Sequence, residues 1–220
     1  MEHTPQKRKA IAISKAEEDG MLSVEPEFQN DKEVVMAAVQ QNGMAIQYFT
    51  SFQNDEEVVT AAVQQNGMAL EDASQNLKND KEVVTAAVQQ NGMALYHASR
   101  NLKNDADVVK AAVQQNGMAL QYAPNLLRLR GDPKIACAAV ISDRRALRYV
   151  HDSLDDNDEF AQCMIDNKIP PTGRKRLGKF MTFKMHSRRP LPGDLNEKVF
   201  SYLEGGKRKR TRRRRRTRKI

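Results

Sequence analysis

The chain has no tryptophan, and only 5% of its 220 residues are aromatic. A core therefore has to be built from Val, Ala, Leu and Met, which suits thin helical layers better than a deep globule. The two cysteines, Cys137 and Cys163, are too few for a dense disulfide framework, and we expect both to be reduced thiols of an intracellular protein. No apolar run approaches the roughly 20 residues of a membrane-spanning helix, and Met1–Lys9 does not resemble a secretory signal.

Sequence motifs of common catalytic sites are also missing. There is no glycine-rich phosphate loop, no H-E-x-x-H or G-x-S-x-G motif, and no Cys/His spacing typical of a metal site. The repeated acidic residues fall at predicted helix starts, where a capping role accounts for them. We therefore expect a protein that is not an enzyme and that needs no cofactor or metal.

Charge is divided unevenly along the chain, although the formal net charge is +8. Residues 1–20 carry four basic and four acidic groups. Residues 21–167 carry 12 Lys and Arg against 21 Asp and Glu, a net charge of −9, whereas residues 168–220 carry 20 against 3, a net charge of +17. An acidic segment is thus joined to a strongly basic one.

One nine-residue string, A-A-V-Q-Q-N-G-M-A, dominates the acidic segment. It occurs four times without a change, and the copies are spaced by 24, 25 and 25 residues; they are Ala37–Ala45, Ala61–Ala69, Ala86–Ala94 and Ala111–Ala119. Short tandem repeats usually form stacked supersecondary units that share one continuous core.

Each repeat predicts two helices joined by a tight turn. In the third copy, Asn79 and Glu82 form an N-x-x-E capping box at the start of a helix of about 12 residues. Gly92 is expected to end this helix in a left-handed conformation, and Met93–Ser99 forms a shorter second helix. The fold class predicted from this pattern is all-α, with helix–turn–helix repeats stacked as an α-solenoid.

The domain organisation follows from the repeats and the charge. The four close copies are followed by two degenerate ones, of which the last has Phe160, Met164 and Ile165 as its apolar face. The predicted segments are a mobile N-terminal leader at 1–20, the helical repeat array at 21–167, a basic linker at 168–190, an amphipathic helix at 191–204 and a disordered arginine-rich tail at 205–220.

The repeat pattern N-D-x-E-V-V-x-A-A-V-Q-Q-N-G-M-A-L, read at Asn79–Leu95, resembles DUF4116, a short repeat family of unknown function. The resemblance covers roughly residues 28–150. The family occurs in protists, algae and large DNA viruses, and the resemblance implies a helical repeat module without catalytic residues. The Gly-Gly-plus-arginine ending is similar to the tails of proteins encoded by large algal DNA viruses.

Positions that differ between copies are the candidates for recognition, because the identical positions are expected to serve stacking. Solenoids commonly bind protein along such a variable surface. The predicted protein-binding residues are Met36, Thr60, Thr85 and Lys110 on the first helices, with Tyr48, Asp72, Tyr96, His97 and Tyr122 on the second.

The C-terminal end is a second kind of interaction segment. Eleven of the last 14 residues are Lys or Arg, which predicts sequence-independent binding of nucleic acid, DNA or RNA, through counterion release. The predicted nucleic-acid-binding residues are Lys207, Arg208, Lys209, Arg210, Arg212, Arg213, Arg214, Arg215, Arg216, Arg218 and Lys219, with Arg174, Lys175 and Arg176 in the basic linker.

Three functional interpretations follow. The first is an adaptor whose array binds a protein while its tail holds nucleic acid, which would suit a virion- or genome-associated protein. In the second, a structural one, the tail contacts an acidic surface of a capsid or core protein, or of the chain's own array. In the third, the tail is a nuclear or nucleolar address and the array occupies a host protein.

Overall fold

The computed structural model describes residues 5–19, 26–124 and 127–169. These residues form helices and turns and contain no β-strand, so the predicted all-α repeat fold is confirmed. The chain divides into two compact units, residues 1–151 and 152–220.

One ten-residue α-helix recurs in each repeat of the first unit. In α4 the buried face consists of Val83, Val84, Ala87 and Val88, and the same columns are buried in the other copies. Successive helices pack on each other and form one layer. The helices are α2 (Lys32–Gln41), α3 (Glu56–Gln65), α4 (Lys81–Gln90), α6 (Ala106–Gln115) and α8 (Pro133–Ser142).

The residue that caps each of these five ten-residue α-helices is an aspartate, so the predicted Asn79/Glu82 capping box is wrong. The carboxylate of Asp80 accepts hydrogen bonds from the backbone N–H groups of Glu82 at 2.9 Å and Val83 at 3.0 Å. Asn79 lies one residue before the cap and accepts a 2.7 Å hydrogen bond from the Ser99 hydroxyl in the next repeat. Both residue types make good caps, so composition alone did not fix which of the two neighbours takes the extended cap conformation.

The second element of each repeat is a six-residue 3₁₀-helix, where the sequence predicted a short α-helix. The preceding asparagine starts it, as when the Asn91 side chain accepts a hydrogen bond from the Met93 N–H at 3.0 Å. Successive 3₁₀-helices pack on each other and on the α-helices, forming a second layer. They are η2 (Gly43–Tyr48), η4 (Gly67–Asp72), η6 (Gly92–His97), η7 (Gly117–Tyr122) and η8 (Arg144–Tyr149).

Short connectors lead from each 3₁₀-helix to the next α-helix. The connectors that lead into the third, fourth and fifth repeats each bury one leucine, at Leu77, Leu102 and Leu129. The structure describes these connecting elements as η1 (Pro26–Phe28), η3 (Thr50–Phe52), η5 (Leu77–Asn79), α5 (Arg100–Lys103) and α7 (Leu127–Arg130).

The N-terminal segment contains a helix, so the prediction of a mobile leader at 1–20 is wrong for its described part. Helix α1 (Pro5–Asp19) packs on α2. Lys9 Nζ lies 2.9 Å from Asp31 Oδ2 and 2.6 Å from Glu33 Oε2 in the first repeat. The segment lacks an apolar period, but its charged side chains supply contacts to the array that a search for hydrophobic periodicity does not detect.

The second unit is described from Asp152 to Ile169. It contains η9 (Asp152–Asp156) and α9 (Asp158–Asp166), and the Asn157 side chain caps α9 at the Phe160 N–H, 2.8 Å away. The predicted apolar face, which also includes Met164 and Ile165, is buried. The predicted linker from residue 170 onward, the helix at 191–204 and the tail at 205–220 lie outside the described residues.

The cysteines differ from the prediction of two reduced thiols. Both Cys137 and Cys163 are disulfide-bonded. Cys137 is aligned with Thr85 of the third repeat, and its side chain is half-buried. Two cysteines are too few for a disulfide framework, but their number alone does not exclude a disulfide.

Candidate interaction surface of the repeat array

The identical residues of the repeat form a hydrogen-bonded ladder between copies. The side chain of Gln90 accepts from the Gly67 N–H at 2.6 Å and donates to the Gln65 carbonyl oxygen at 3.2 Å. Gln65 and Gln115 make the same pair of bonds to their preceding repeats. These glutamines therefore hold successive repeats together.

The glycine of the repeat serves the same stacking contact. A Cβ atom on Gly67 would collide with the carbonyl oxygen of Ala87 in the next repeat, and Gly43, Gly92 and Gly117 are equally confined. None of the four has a φ angle in the left-handed region, so the predicted left-handed helix end is wrong. Glycine is required by the space between repeats rather than by the turn.

Lysine side chains link the α-helix starts across repeats. Lys32 Nζ lies 2.9 Å from Asp55 and 2.8 Å from Glu57, and Lys81 makes the equivalent contacts with the fourth repeat. The hydrogen bond from Lys32 holds the pKa of Asp55 below its usual value. These lysines thus partly neutralise the acidic side chains at the α-helix starts, and each pairs with the repeat that follows it.

An exposed aromatic cluster lies on the layer of 3₁₀-helices. Tyr96 is 57% exposed, and its ring centroid lies 5.1 Å from that of Tyr122 in the next repeat and 5.0 Å from that of His97. Lys103 Nζ lies 5.4 Å from the centroid of the Tyr96 ring. Large exposed rings held by their neighbours are typical of residues that anchor a protein partner.

Two carboxylates border this cluster. Glu71 Oε2 lies 3.9 Å from Nε2 of His97, and burial lowers the pKa of His97, which favours the neutral imidazole. Burial, and then the charge of Glu71, raise the pKa of Asp72. Burial also lowers the pKa of Lys103. The cluster defined by Glu71, Asp72, Tyr96, His97 and Tyr122 therefore combines exposed aromatic surface with two acidic groups.

A shallow groove lies between α2 and α3 on the layer of α-helices. Met36 and Thr60 line it together with Glu56 and Gln64. Thr85 is half-buried and Lys110 exposed on the later α-helices. These four predicted protein-binding residues therefore form a column that belongs to the α layer.

The structure does not bring the nine predicted protein-binding residues together in one site. Four of them lie on α-helices, and the other five lie on 3₁₀-helices. Tyr96, His97 and Tyr122 meet in the aromatic cluster, whereas Tyr48 is exposed on η2. His97 is more buried than the expected surface position, with 11% of its side chain exposed. The prediction omitted Lys103, which lies on a connector, outside the second-helix columns where recognition residues were sought.

The predicted nucleic-acid-binding residues lie outside the described residues. Within the described ranges, no group of three or more His, Cys, Asp or Glu side chains is placed to hold a metal ion. No helix in this part of the chain is long and apolar enough to cross a membrane.

Comparison with known proteins identifies the repeat family. Four overlapping segments, residues 21–53, 31–78, 55–102 and 80–128, match the family described as Domain of unknown function (DUF4116). Neither the curated proteins nor the solved structures that were searched contain a match. The four matches tile the same repeats that the structure resolves into paired α- and 3₁₀-helices, and the chain is therefore a DUF4116 helical repeat protein.

Proposed function

We propose that this chain is a non-enzymatic interaction protein with two binding parts. The repeat array presents the variable residues of its layers to a protein partner. The arginine-rich segment at 205–220 binds nucleic acid without sequence specificity. In a large DNA virus this combination suits a virion- or genome-associated role, and in a host cell it suits the nucleus or nucleolus.

The observation that carries the proposal for the array is the division between identical and variable positions. Most residues that are identical in the four copies are buried or bonded to a neighbouring repeat, as Gly67 and Gln90 illustrate, whereas the first glutamine of the string, as at Gln64, is exposed. Variable positions carry exposed tyrosines, with Tyr48 and Tyr96 each 57% exposed. Tyrosine offers a large contact area at a low entropic cost, which favours a protein partner at this surface.

The proposal for the C-terminal segment depends on charge. Eleven cations in 14 residues cannot build a packed core, and they match the charge density of a phosphate backbone. The acidic array, at −9 over residues 21–167, repels nucleic acid. The two binding parts are therefore directed toward different partners.

A salt titration of nucleic-acid binding tests this division. Binding of the full chain to a mixed-sequence DNA duplex and to single-stranded RNA is compared with that of a variant in which Arg212–Arg216 are replaced by serine. Five lost phosphate contacts should lower the magnitude of the log–log salt slope by about 4 on duplex DNA. Replacement of Arg174–Arg176 by serine should have a smaller effect, and Tyr96→Ala should have none.

The titration can also contradict the proposal. If the serine variant and the unchanged chain bind both nucleic acids with the same slope, the arginines do not anchor nucleic acid. If Tyr96→Ala weakens binding as strongly as the loss of the arginines, the array itself takes part and the two-part division is wrong.

A further inference from the structure

Two equally exposed tyrosines of the array differ in their surroundings. Tyr48 and Tyr96 are each 57% exposed. The ring of Tyr96 is held by Tyr122 and His97, and His97 in turn faces the carboxylate of Glu71. Tyr96 therefore lies within a defined chemical environment, for which Tyr48 serves as an internal reference.

The environment of Tyr96 matches the chemistry that recognises an arginine side chain. A guanidinium group stacks on an aromatic face and pairs with carboxylates through its planar donors. Tyr96 and Tyr122 offer aromatic faces, while Glu71 and Asp72 offer the acidic groups, and the charges of these two carboxylates repel each other. The Lys103 ammonium, 5.4 Å from the Tyr96 centroid, shows that this ring already accepts a cation.

The cations that already face the cluster do not neutralise it fully. Lys78 donates its hydrogen bond to the backbone carbonyl of Glu71, at 2.6 Å, and not to the carboxylate. His97 is disfavoured as a cation because burial lowers its pKa. An additional cation therefore finds favourable partners in the side chains of Glu71 and Asp72.

We infer that this aromatic-acidic cluster binds the arginine-rich segment 207–220 of a second copy of the chain. The inference deepens the proposed function and rests on its claim that the array binds protein. Charge complementarity favours this occupant, since residues 21–167 carry −9 and residues 207–220 carry 11 cations. Nucleic acid competes for the same arginines, so the self-associated chain and the nucleic-acid-bound chain exclude each other at this segment.

Sedimentation velocity of the full chain over a range of concentrations tests the inference. We expect self-association at low salt that is lost at high salt and on addition of duplex DNA. Tyr96→Ala should weaken the association about fivefold, the loss of one exposed cation–π contact, whereas Tyr48→Ala should leave it unchanged. The double variant Glu71→Gln/Asp72→Asn should weaken it as well, and circular dichroism checks that each variant remains helical.

A second set of variants separates docking on the cluster from general attraction between opposite charges. Replacement of Arg212–Arg216 by lysine keeps the charge but removes the planar group that stacks on tyrosine. We expect this variant to self-associate more weakly than the unchanged chain while keeping its salt slope on duplex DNA. An unchanged self-association would overturn the inference, because simple charge attraction would then explain it.

Other outcomes also decide the matter. A chain that stays monomeric at low salt, or one in which Tyr48→Ala and Tyr96→Ala act alike, contradicts docking at the cluster. If such a chain still binds nucleic acid through its arginines, only the inference fails. If self-association occurs as expected but the arginines make no contribution to nucleic-acid binding, the proposed function fails instead.

Discussion

The third repeat, residues 79–103, and the fifth, residues 131–150, follow nearly the same backbone path with different residues. Asn91 and Asp143 precede their 3₁₀-helices with φ of −145° in both and ψ of 107° and 112°. At the next position the third repeat has Gly92 and the fifth has Arg144. The turn itself therefore does not require glycine.

At Gly92 the requirement comes from the repeat that follows. A carbonyl oxygen of the fourth repeat, that of Ala112, approaches Gly92 too closely for a side chain to fit. The fifth repeat is the last in the first unit, and Arg144 is exposed. The glycines of the four central copies are thus required by the carbonyl oxygen of the following repeat, and the fifth copy of the first unit has Arg144 at the same position.

The largest effect is expected from Gly92→Ala. The added Cβ would collide with the Ala112 carbonyl oxygen, so the stacked repeats must shift, and we expect a loss of about 3 kcal/mol in the free energy of unfolding. Urea denaturation measures this value. Arg144→Ala is the matched control and should change it by less than about 0.5 kcal/mol.

An equal cost for these two substitutions would show that glycine is needed for the turn in every repeat. A negligible cost for Gly92→Ala would show that the repeats separate easily. Either result would mean that close packing against the following repeat does not explain the glycine.

A smaller effect is expected from Gln90→Ala. This change removes both hydrogen bonds of the glutamine and leaves the buried Gly67 N–H without its partner, which should cost about 2 kcal/mol. In the fifth repeat Ser142 replaces the glutamine and accepts one hydrogen bond, from Gly117 at 3.0 Å. Ser142→Ala should therefore cost about 1 kcal/mol. Thermal or urea unfolding of the two variants measures both losses of unfolding free energy.

If Gln90→Ala and Ser142→Ala cost the same, the second bond of the glutamine contributes nothing to stability. Gln90→Glu provides a further control, since it keeps the acceptor and loses the donor. Its cost should fall between that of the alanine variant and zero at neutral pH, where the new carboxyl group is ionised and has no donor.

Much of the fold could be predicted because it repeats. The period of the string and the Val/Ala columns located the α-helices and their buried faces. The finer geometry could not be predicted, because Asn79 and Asp80 are both good caps and only tertiary contacts select the second. The 3₁₀ form of the second helix escaped prediction for the same reason: residues such as Met93 and Leu95 suit either kind of short helix.

The candidate surface was predicted in part. The variation between copies placed Tyr96, His97 and Tyr122 on the second helices, which are η6 and η7, and these three rings lie together. The prediction did not separate the column of the α-helices from that of the 3₁₀-helices. Lys103 was not predicted because it lies in a connector, directly after the buried Leu102, and not in either of the two helices of a repeat. The helix α1 was missed because its segment has no apolar period; Ala12 is buried, and charged residues such as Lys9 pair with the array.

The smallest loss of folding stability is expected when one of the lysines that pair with the next repeat is replaced, and this loss should depend on pH. The hydrogen bond from Lys81 lowers the pKa of Asp105, so the pair stabilises the folded state fully above the ordinary aspartate pKa of about 4. That stabilisation is lost as the pH falls through the lowered value. Lys81→Met should therefore destabilise the chain at neutral pH and have no effect in strong acid.

The fourth repeat supplies the matched variant for this ion pair. Ala106 occupies the position of Lys81, next to the start of the fifth repeat. Ala106→Lys should place an ammonium near Asp132, the cap of α8, and should stabilise the chain only where that carboxylate is ionised. Carboxyl titration by NMR follows Asp105 directly: its pKa should rise toward the ordinary value in Lys81→Met and stay unchanged in Ala106→Lys. If the pKa of Asp105 does not change in Lys81→Met, the backbone hydrogen bonds of the cap, and not the lysine, hold that pKa low. The lysine would then contribute nothing to the difference between the third and fifth repeats.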